Sequence, residues 1–160
     1  MRAHKLEDNL ARIKSLLKEI IRDGEFQLTF AIHRVTQDPA SFESPEYVVE
    51  LDGADSDLVL ERNGAFLDAL EHVVLKAARL ADEHRISFEC REWRQLRAEE
   101  LLLTAQVAAE RVVERGEPFH LSPMNPRERR IIHLALRDRA DVRTVSEGVG
   151  ADRHVVILPV

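Results

Sequence analysis

Between Asn125 and Arg137 the sequence gathers groups that bind anions: Arg129, Arg130, His133 and Arg137. With about 100° of rotation per helical residue, His133 falls roughly 40° from Arg129, Arg137 roughly 80° and Arg130 roughly 100°. Ile131, Ile132, Ala135 and Leu136 fall on the other side, as a face that buries; Leu134 suits neither face. Arginines crowded onto one quadrant repel each other, and an anion resting there relieves the repulsion. Guanidinium groups fork onto phosphate oxygens and stack on bases. An imidazole donates to phosphate or stacks on an unpaired base. The chemistry such a segment could do is therefore contact with phosphate and stacking on unpaired bases. The same pattern also describes a solvated helix face, and spacing alone does not separate the two.

The elements that must hold these residues can be read around them. Asn125 is an N-cap, Pro126 a first helical residue, and Glu128 sits where it closes a capping box. The amides of that first turn are further phosphate donors. Val142–Glu147 and His154–Leu158 alternate as strands around a turn at Gly148–Asp152, with Ser146 and Arg153 as expected rim contacts. Upstream, a helix is predicted from about Trp93 to Arg115 with Leu101, Ala105, Ala108 and Val112 as its stripe, ended by Gly116 and Pro118. Phe119–Leu121 reads as a short extended piece.

The first ninety residues follow a different plan. Leu6, Leu10, Ile13, Leu17 and Ile20 mark an amphipathic helix with Gly24 as its stop. Phe26–Ile32 and Tyr47–Leu51 read as strands, separated by a polar loop over Thr36–Pro45. Two helical pieces flank a polar turn that ends in Gly64; the second carries Leu67, Leu70, Val73/Val74, Ala77 and Ala81 on one face. Arg85–Cys90 is a third strand. The order is α-β-β-α-α-β, and a domain boundary is expected near Arg91, before the long helix.

The totals limit the function classes. A chain of 160 residues, 44% apolar and 32% charged, is a folded protein of one ordinary domain or two small ones. The single cysteine, Cys90, lies in an apolar-alternating stretch and reads as an inert buried thiol. Nothing resembles a spanning run or a leader, so a cytoplasmic protein without membrane insertion is expected. The net charge is −6, but it is uneven. Residues 1–90 carry 11 basic and 18 acidic groups, whereas 91–160 carry 12 arginines against 11 acids. Within 124–143 there are 6 arginines against 3 acids, a local basic patch on an acidic body. No cofactor or metal is expected, since His33, His72, His84 and His120 have no ligand spacing with Cys or acidic partners. No phosphate-cradling loop, nucleophile elbow or paired-carboxylate motif is present. Trp93 is expected to pack at the domain junction, and Tyr47 and Phe66 to pack in the core.

The run Met124–Leu136, followed by Ser146-Glu147-Gly148 and Arg153–Ile157, closely resembles the R-x3-H domain, a small single-stranded nucleic-acid-binding fold. Its name-giving arginine and histidine match Arg129 and His133. Leu58–Leu70 resembles the centre of a KH domain, where a GXXG loop between two helices clamps RNA backbone. A KH domain followed by an R-x3-H domain is the pattern of the bacterial Jag family, also called KhpB or SpoIIIJ-associated proteins. The resemblance implies an α+β protein: a type II KH-like domain over 1–90, then a small R-x3-H domain over 91–160 with a short antiparallel sheet. It also implies a non-catalytic RNA-binding regulator or chaperone, of a kind that often works beside a small single-KH partner protein; whether DNA competes with RNA is not legible. The first loop glycine is replaced by Glu61, while Arg62, Asn63 and Gly64 remain compatible, so this half is expected to bind RNA weakly or not at all. The separate N-terminal domain of many Jag proteins is expected to be missing. The competing reading is a protein-interaction adaptor whose KH-like half docks a partner; a hydrolase acting on RNA has no acid–base pair or metal cluster to support it. Oligomeric state is not legible.

Overall fold

The computed structural model describes residues 2–36, 45–80 and 85–160, with side chains from residue 7 onward. The chain forms two compact units, Met1–Arg94 and Gln95–Val160, of mixed α+β structure. The loop predicted over Thr36–Pro45 falls largely outside the described residues, as do Ala81, His84 and the side chain of Leu6.

In the first unit, α1 (Arg2–Asp23) buries Ile13 and Leu17 and half-buries Leu10 and Ile20, the stripe read from the sequence. The helix ends at Asp23, directly before the glycine read as its stop. Phe26 N–H reaches back to the Ile21 carbonyl at 3.0 Å, and Glu25, not Gly24, takes the left-handed conformation with φ 55°. Gly24 is needed for space: a Cβ there would lie 2.4 Å from the Phe26 ring. Strands β1 (Leu28–Arg34), β2 (Tyr47–Gly53) and β3 (Ile86–Cys90) form a sheet in the order β1-β2-β3, antiparallel at the first pairing and parallel at the second. Between β2 and β3 lies α2 (Ser56–Ala77), broken at 61–64 into the two helical pieces the sequence suggests. Its buried face is Leu67, Leu70, Val74 and Leu75, continued by Ala78; Val73 and Ala77, predicted to bury, are exposed. The 3.6-residue period from Leu67 and Leu70 reaches 74 and 78 and skips 73 and 77.

The break has an asymmetric backbone. Glu61 is extended at φ −56°, ψ 153°, while Arg62, Asn63 and Gly64 are all left-handed, at φ 51°, 57° and 71°. For Arg62 that conformation costs on the order of 1–2 kcal/mol, whereas Asn63 is a residue type that tolerates it. Gly64 is fixed by a second constraint, because Trp93 lies over it and a Cβ would sit 2.6 Å from the indole nitrogen. Phe66 meets Phe26 edge-on at 5.4 Å, and Tyr47 packs against the same core.

The first unit ends inside α3 (Trp93–Arg115), three residues beyond the expected boundary at Arg91. Arg94 is the reason: its guanidinium donates to Glu71 at 2.5 Å and Asp68 at 2.8 Å, and its N–H meets Glu89. Burial opposes the charge of Arg94, but the two carboxylates outweigh it and hold the group protonated.

The second unit buries the α3 stripe of Leu101, Ala105, Ala108 and Val112 together with Ala109. Two further elements, β4 (Phe119–His120) and α4 (Pro126–Leu136), follow it. Then β5 (Val142–Glu147) and β6 (His154–Pro159) complete an antiparallel sheet in the order β4-β6-β5. Ile131, Ile132 and Leu136 of α4 meet Val155 and Ile157 of β6 in this core. Each buried aliphatic side chain contributes roughly 1.5–3 kcal/mol.

Gly64→Ala is expected to destabilise the protein by about 1–3 kcal/mol, from left-handed backbone strain and a displaced Trp93. Urea unfolding followed by tryptophan fluorescence measures it. An unchanged midpoint would show that Trp93 does not close over the loop.

Candidate nucleic-acid interface

Helix α4 starts as its sequence dictates. The Asn125 side chain accepts from Glu128 N–H at 2.9 Å, and the Glu128 carboxylate accepts from Asn125 N–H at 3.1 Å. The other Glu128 oxygen takes Arg97 Nε of α3 at 2.7 Å, so this buried carboxylate caps the helix and pins it. A carboxylate satisfied on both oxygens carries little of the desolvation cost of a buried charge.

Above the cap, the Arg129 guanidinium donates to the Met124 carbonyl at 2.9 Å. Met124 N–H donates to the Arg153 carbonyl at 3.1 Å. Arg129 is thereby held half-buried, one residue from the turn that carries Arg153. His133, one helical turn on, lies between two hydroxyls of β5. Its Nδ1 is 2.6 Å from Thr144 Oγ1 and its Nε2 is 2.8 Å from Ser146 Oγ. Residues 144 and 146 share a strand face by the period of two, which is why one ring reaches both.

These contacts fix the state of the ring. Burial and then the charge of Arg129 lower the pKa of His133 below the ordinary value of 6.5. The ring is neutral at pH 7, with one nitrogen donating and the other accepting. It is therefore an anchor to β5 rather than a cation. The Ser146–His133 pair is within hydrogen-bond reach, yet it is badly arranged for nucleophilic catalysis. The far nitrogen faces a hydroxyl where an orienting carboxylate would stabilise an imidazolium, and Arg129 opposes that charge.

The arginines divide. Arg137 turns to its neighbour Asp138 at 3.2 Å and Arg139 to Asp141 at 2.9 Å. Arg143 lies on the β5 face opposite Thr144. Arg130 and Arg153 are exposed, with no ion pair among the described residues. The basic patch read over 124–143 thus narrows to Arg129 and Arg130, beside Arg153 from the turn. Thr144 was not singled out by the sequence; the two hydroxyls at 144 and 146 on one strand face were its signal. Arg62, Asn63 and Gly64 stand in the first unit, the first two exposed and the glycine buried.

Strand pairing also joins residues that sequence spacing kept apart. His120 of β4, Glu147 of β5 and His154 of β6 lie together, their ligand atoms within 4.8 Å of one another. No spacing rule finds them because each comes from a separate strand.

The pH dependence of stability follows from His133. Its folded pKa is depressed, so the unfolded chain takes up the proton first as pH falls through 6.5. Its contribution to stability is complete above that pH and is lost on the way down to the folded value. An NMR titration of the His133 ring is expected to show a midpoint below 6.5. A midpoint at or above 6.5 would mean that the ring is neither buried nor beside Arg129 in solution.

Comparison with known proteins agrees with this geometry. Residues 99–159 match the model of the R-x3-H domain family. Over 114 residues the chain is 35% identical to the RNA-binding protein KhpB of Clostridium symbiosum, covering 70% of this chain and 51% of that protein. Over 109 residues it is 31% identical to the RNA-binding protein KhpB of Bacillus subtilis, covering 66% of this chain and 52% of that one. The chain spans about half the length of these curated relatives. Residues 99–159 are therefore an R-x3-H domain, and the chain is a homologue of the KhpB proteins of the Jag family.

Proposed function

We propose that this protein binds single-stranded nucleic acid, RNA above all, through the α4 face of its R-x3-H domain and without catalysis. The observation that carries the reading is the joining of Arg129 and His133 on one helix, both fixed in place before any ligand arrives. In this proposal Arg129 and Arg130 meet phosphate, Arg153 adds a contact from the turn, and the neutral His133 offers its ring to a base. Arg137 contributes less because Asp138 competes for it. Ser146 acts through His133, and Asn125 by capping the start of α4. Preorganisation lowers the ordering cost of binding. The surface offers charges and stacking but few base-edge readers, so sequence selectivity is low. A role as RNA chaperone or regulator, beside a small KH-type partner, belongs to the same proposal and rests on the family resemblance; the named relatives support RNA binding.

The first unit is assigned to the type II KH arrangement on its α-β-β-α-α-β order and its broken α2. Glu61 occupies an extended backbone position, so a side chain is accommodated there without strain. The obstacle to RNA at this loop is the carboxylate charge, not the backbone.

Fluorescence anisotropy with labelled single-stranded RNA across a salt series tests the main site. Arg129→Ala is expected to weaken binding and to flatten the log–log salt slope by about 0.7, the loss of one phosphate contact. Adding His133→Ala should weaken binding further with little more change in slope. Identical curves for wild type and both variants would refute the site. Glu61→Gly is expected to raise affinity and steepen the slope if the loop is crippled only by charge. An unchanged affinity would instead favour the first unit as a docking surface for a protein.

A further inference from the structure

We propose that His120, Glu147 and His154 form a binding site for a borderline transition-metal dication, Zn²⁺ in particular, on the sheet face turned away from His133. The strand registers build the site. Glu147 pairs directly with His154, and His120 pairs with Val156, two residues along β6 and therefore on the same face as 154. Thr144 and Ser146, which hold His133, alternate onto the other face. The two clusters share strands but not surfaces.

The geometry within the cluster suits a metal. His120 Nδ1 and His154 Nε2 are 3.3 Å apart, with ring centroids at 5.5 Å. Two nitrogens bound tetrahedrally to zinc at about 2.0–2.1 Å lie about 3.3–3.4 Å from each other, so the pair already has the span of one coordination edge. The Glu147 carboxylate completes an N₂O donor set within 4.8 Å. Imidazole nitrogens select zinc-like ions over magnesium and calcium, which take oxygen ligands.

The tautomer is also set in advance. His154 Nδ1 is 2.9 Å from the Asp152 carbonyl. A carbonyl only accepts, so Nδ1 carries the proton and Nε2 presents its lone pair toward His120. Metal-bound histidines are commonly held by such a hydrogen bond on the other nitrogen. The turn supporting that carbonyl is constrained by Gly148, at φ 84°, where a Cβ would lie 2.7 Å from the Asp152 oxygen. Three protein ligands leave one position open, accessible because His120 and Glu147 are exposed. Binding would tie β4, β5 and β6 together and stabilise the folded form by mass action.

Isothermal titration of the tag-free full chain with ZnCl₂ tests the site, with MgCl₂ as the contrasting hard cation. Wild type is expected to bind one equivalent of Zn²⁺ through this cluster and no Mg²⁺, with a higher melting temperature in saturating Zn²⁺. The one-equivalent isotherm should be lost in His120→Ala/His154→Ala and weakened in Glu147→Gln, a variant that keeps side-chain size. ¹⁵N chemical shifts supply an independent reading on wild type: Zn²⁺ should move His120 Nδ1 and His154 Nε2 and leave His133 in place. The proposal is overturned if the double variant retains the same isotherm, if no Zn²⁺ binds, if Mg²⁺ binds equally, or if the shifts fall on other histidines. None of these readouts uses RNA, so the nucleic-acid site can stand or fall separately.

Discussion

The second unit depends on one buried carboxylate. Glu128 accepts from Asn125 N–H with one oxygen and from Arg97 with the other. The first contact fixes where α4 begins. The second fixes which way it lies on α3. Removing the carboxylate would leave Arg97, among the described residues, with only exposed Glu100 at 2.8 Å and would loosen a helix of just 11 residues. A helix that short is marginal on its own and persists through packing and caps. Every proposed contact is downstream of this anchor: Arg129 is the next residue, and His133 is one turn further along.

The sheet of the second unit separates its two surfaces by alternation. Along β5, Thr144 and Ser146 face α4 while Glu147 faces the other way toward His154. A polar strand residue can thus support one surface without disturbing the opposite one. The hydrophobic layer survives because β6, the central strand, buries Val155, Val156 and Ile157 in succession. The polar work is left to the edge strands and to residues at strand ends.

Much of the fold was legible because its signals are local. The box at Asn125 and Glu128, the α3 stripe and the turn after Glu147 are set within a few residues, and the structure has them. Val73 and Ala77 show the limit of local reading, since an apolar residue beside the buried stripe looks the same in sequence as one within it. Gly24 shows another: the residue type suggested a left-handed helix stop, but the glycine serves the Phe26 ring and Glu25 makes the turn. The helix wheel placed Arg137 with Arg129 but could not show that Asp138 would take it. His133 looked like a donor to phosphate, and only the strand opposite reveals that both nitrogens are engaged. The His120–Glu147–His154 cluster was invisible for the reason that β-sheets generally hide sites, because its members meet through non-local pairing.

The proposal that an acidic chain binds an acidic polymer is consistent when charge is counted where it acts. The Debye length at physiological salt is about 8 Å, so acids beyond that reach contribute little to the field at Arg129. Within reach, the decisive question is which charges are already paired. Arg137 and Arg139 are partly neutralised by neighbours, whereas Arg130 faces solvent and Arg129 is held by a carbonyl, which directs its charge without cancelling it. The neutral state of His133 fits the same logic. A second full charge beside Arg129 would cost folding stability in the absence of ligand, whereas a neutral ring keeps its stacking surface at no such cost. Affinity built this way at the proposed site would be modest and salt-sensitive, and the sign of the chain's net charge says little about it.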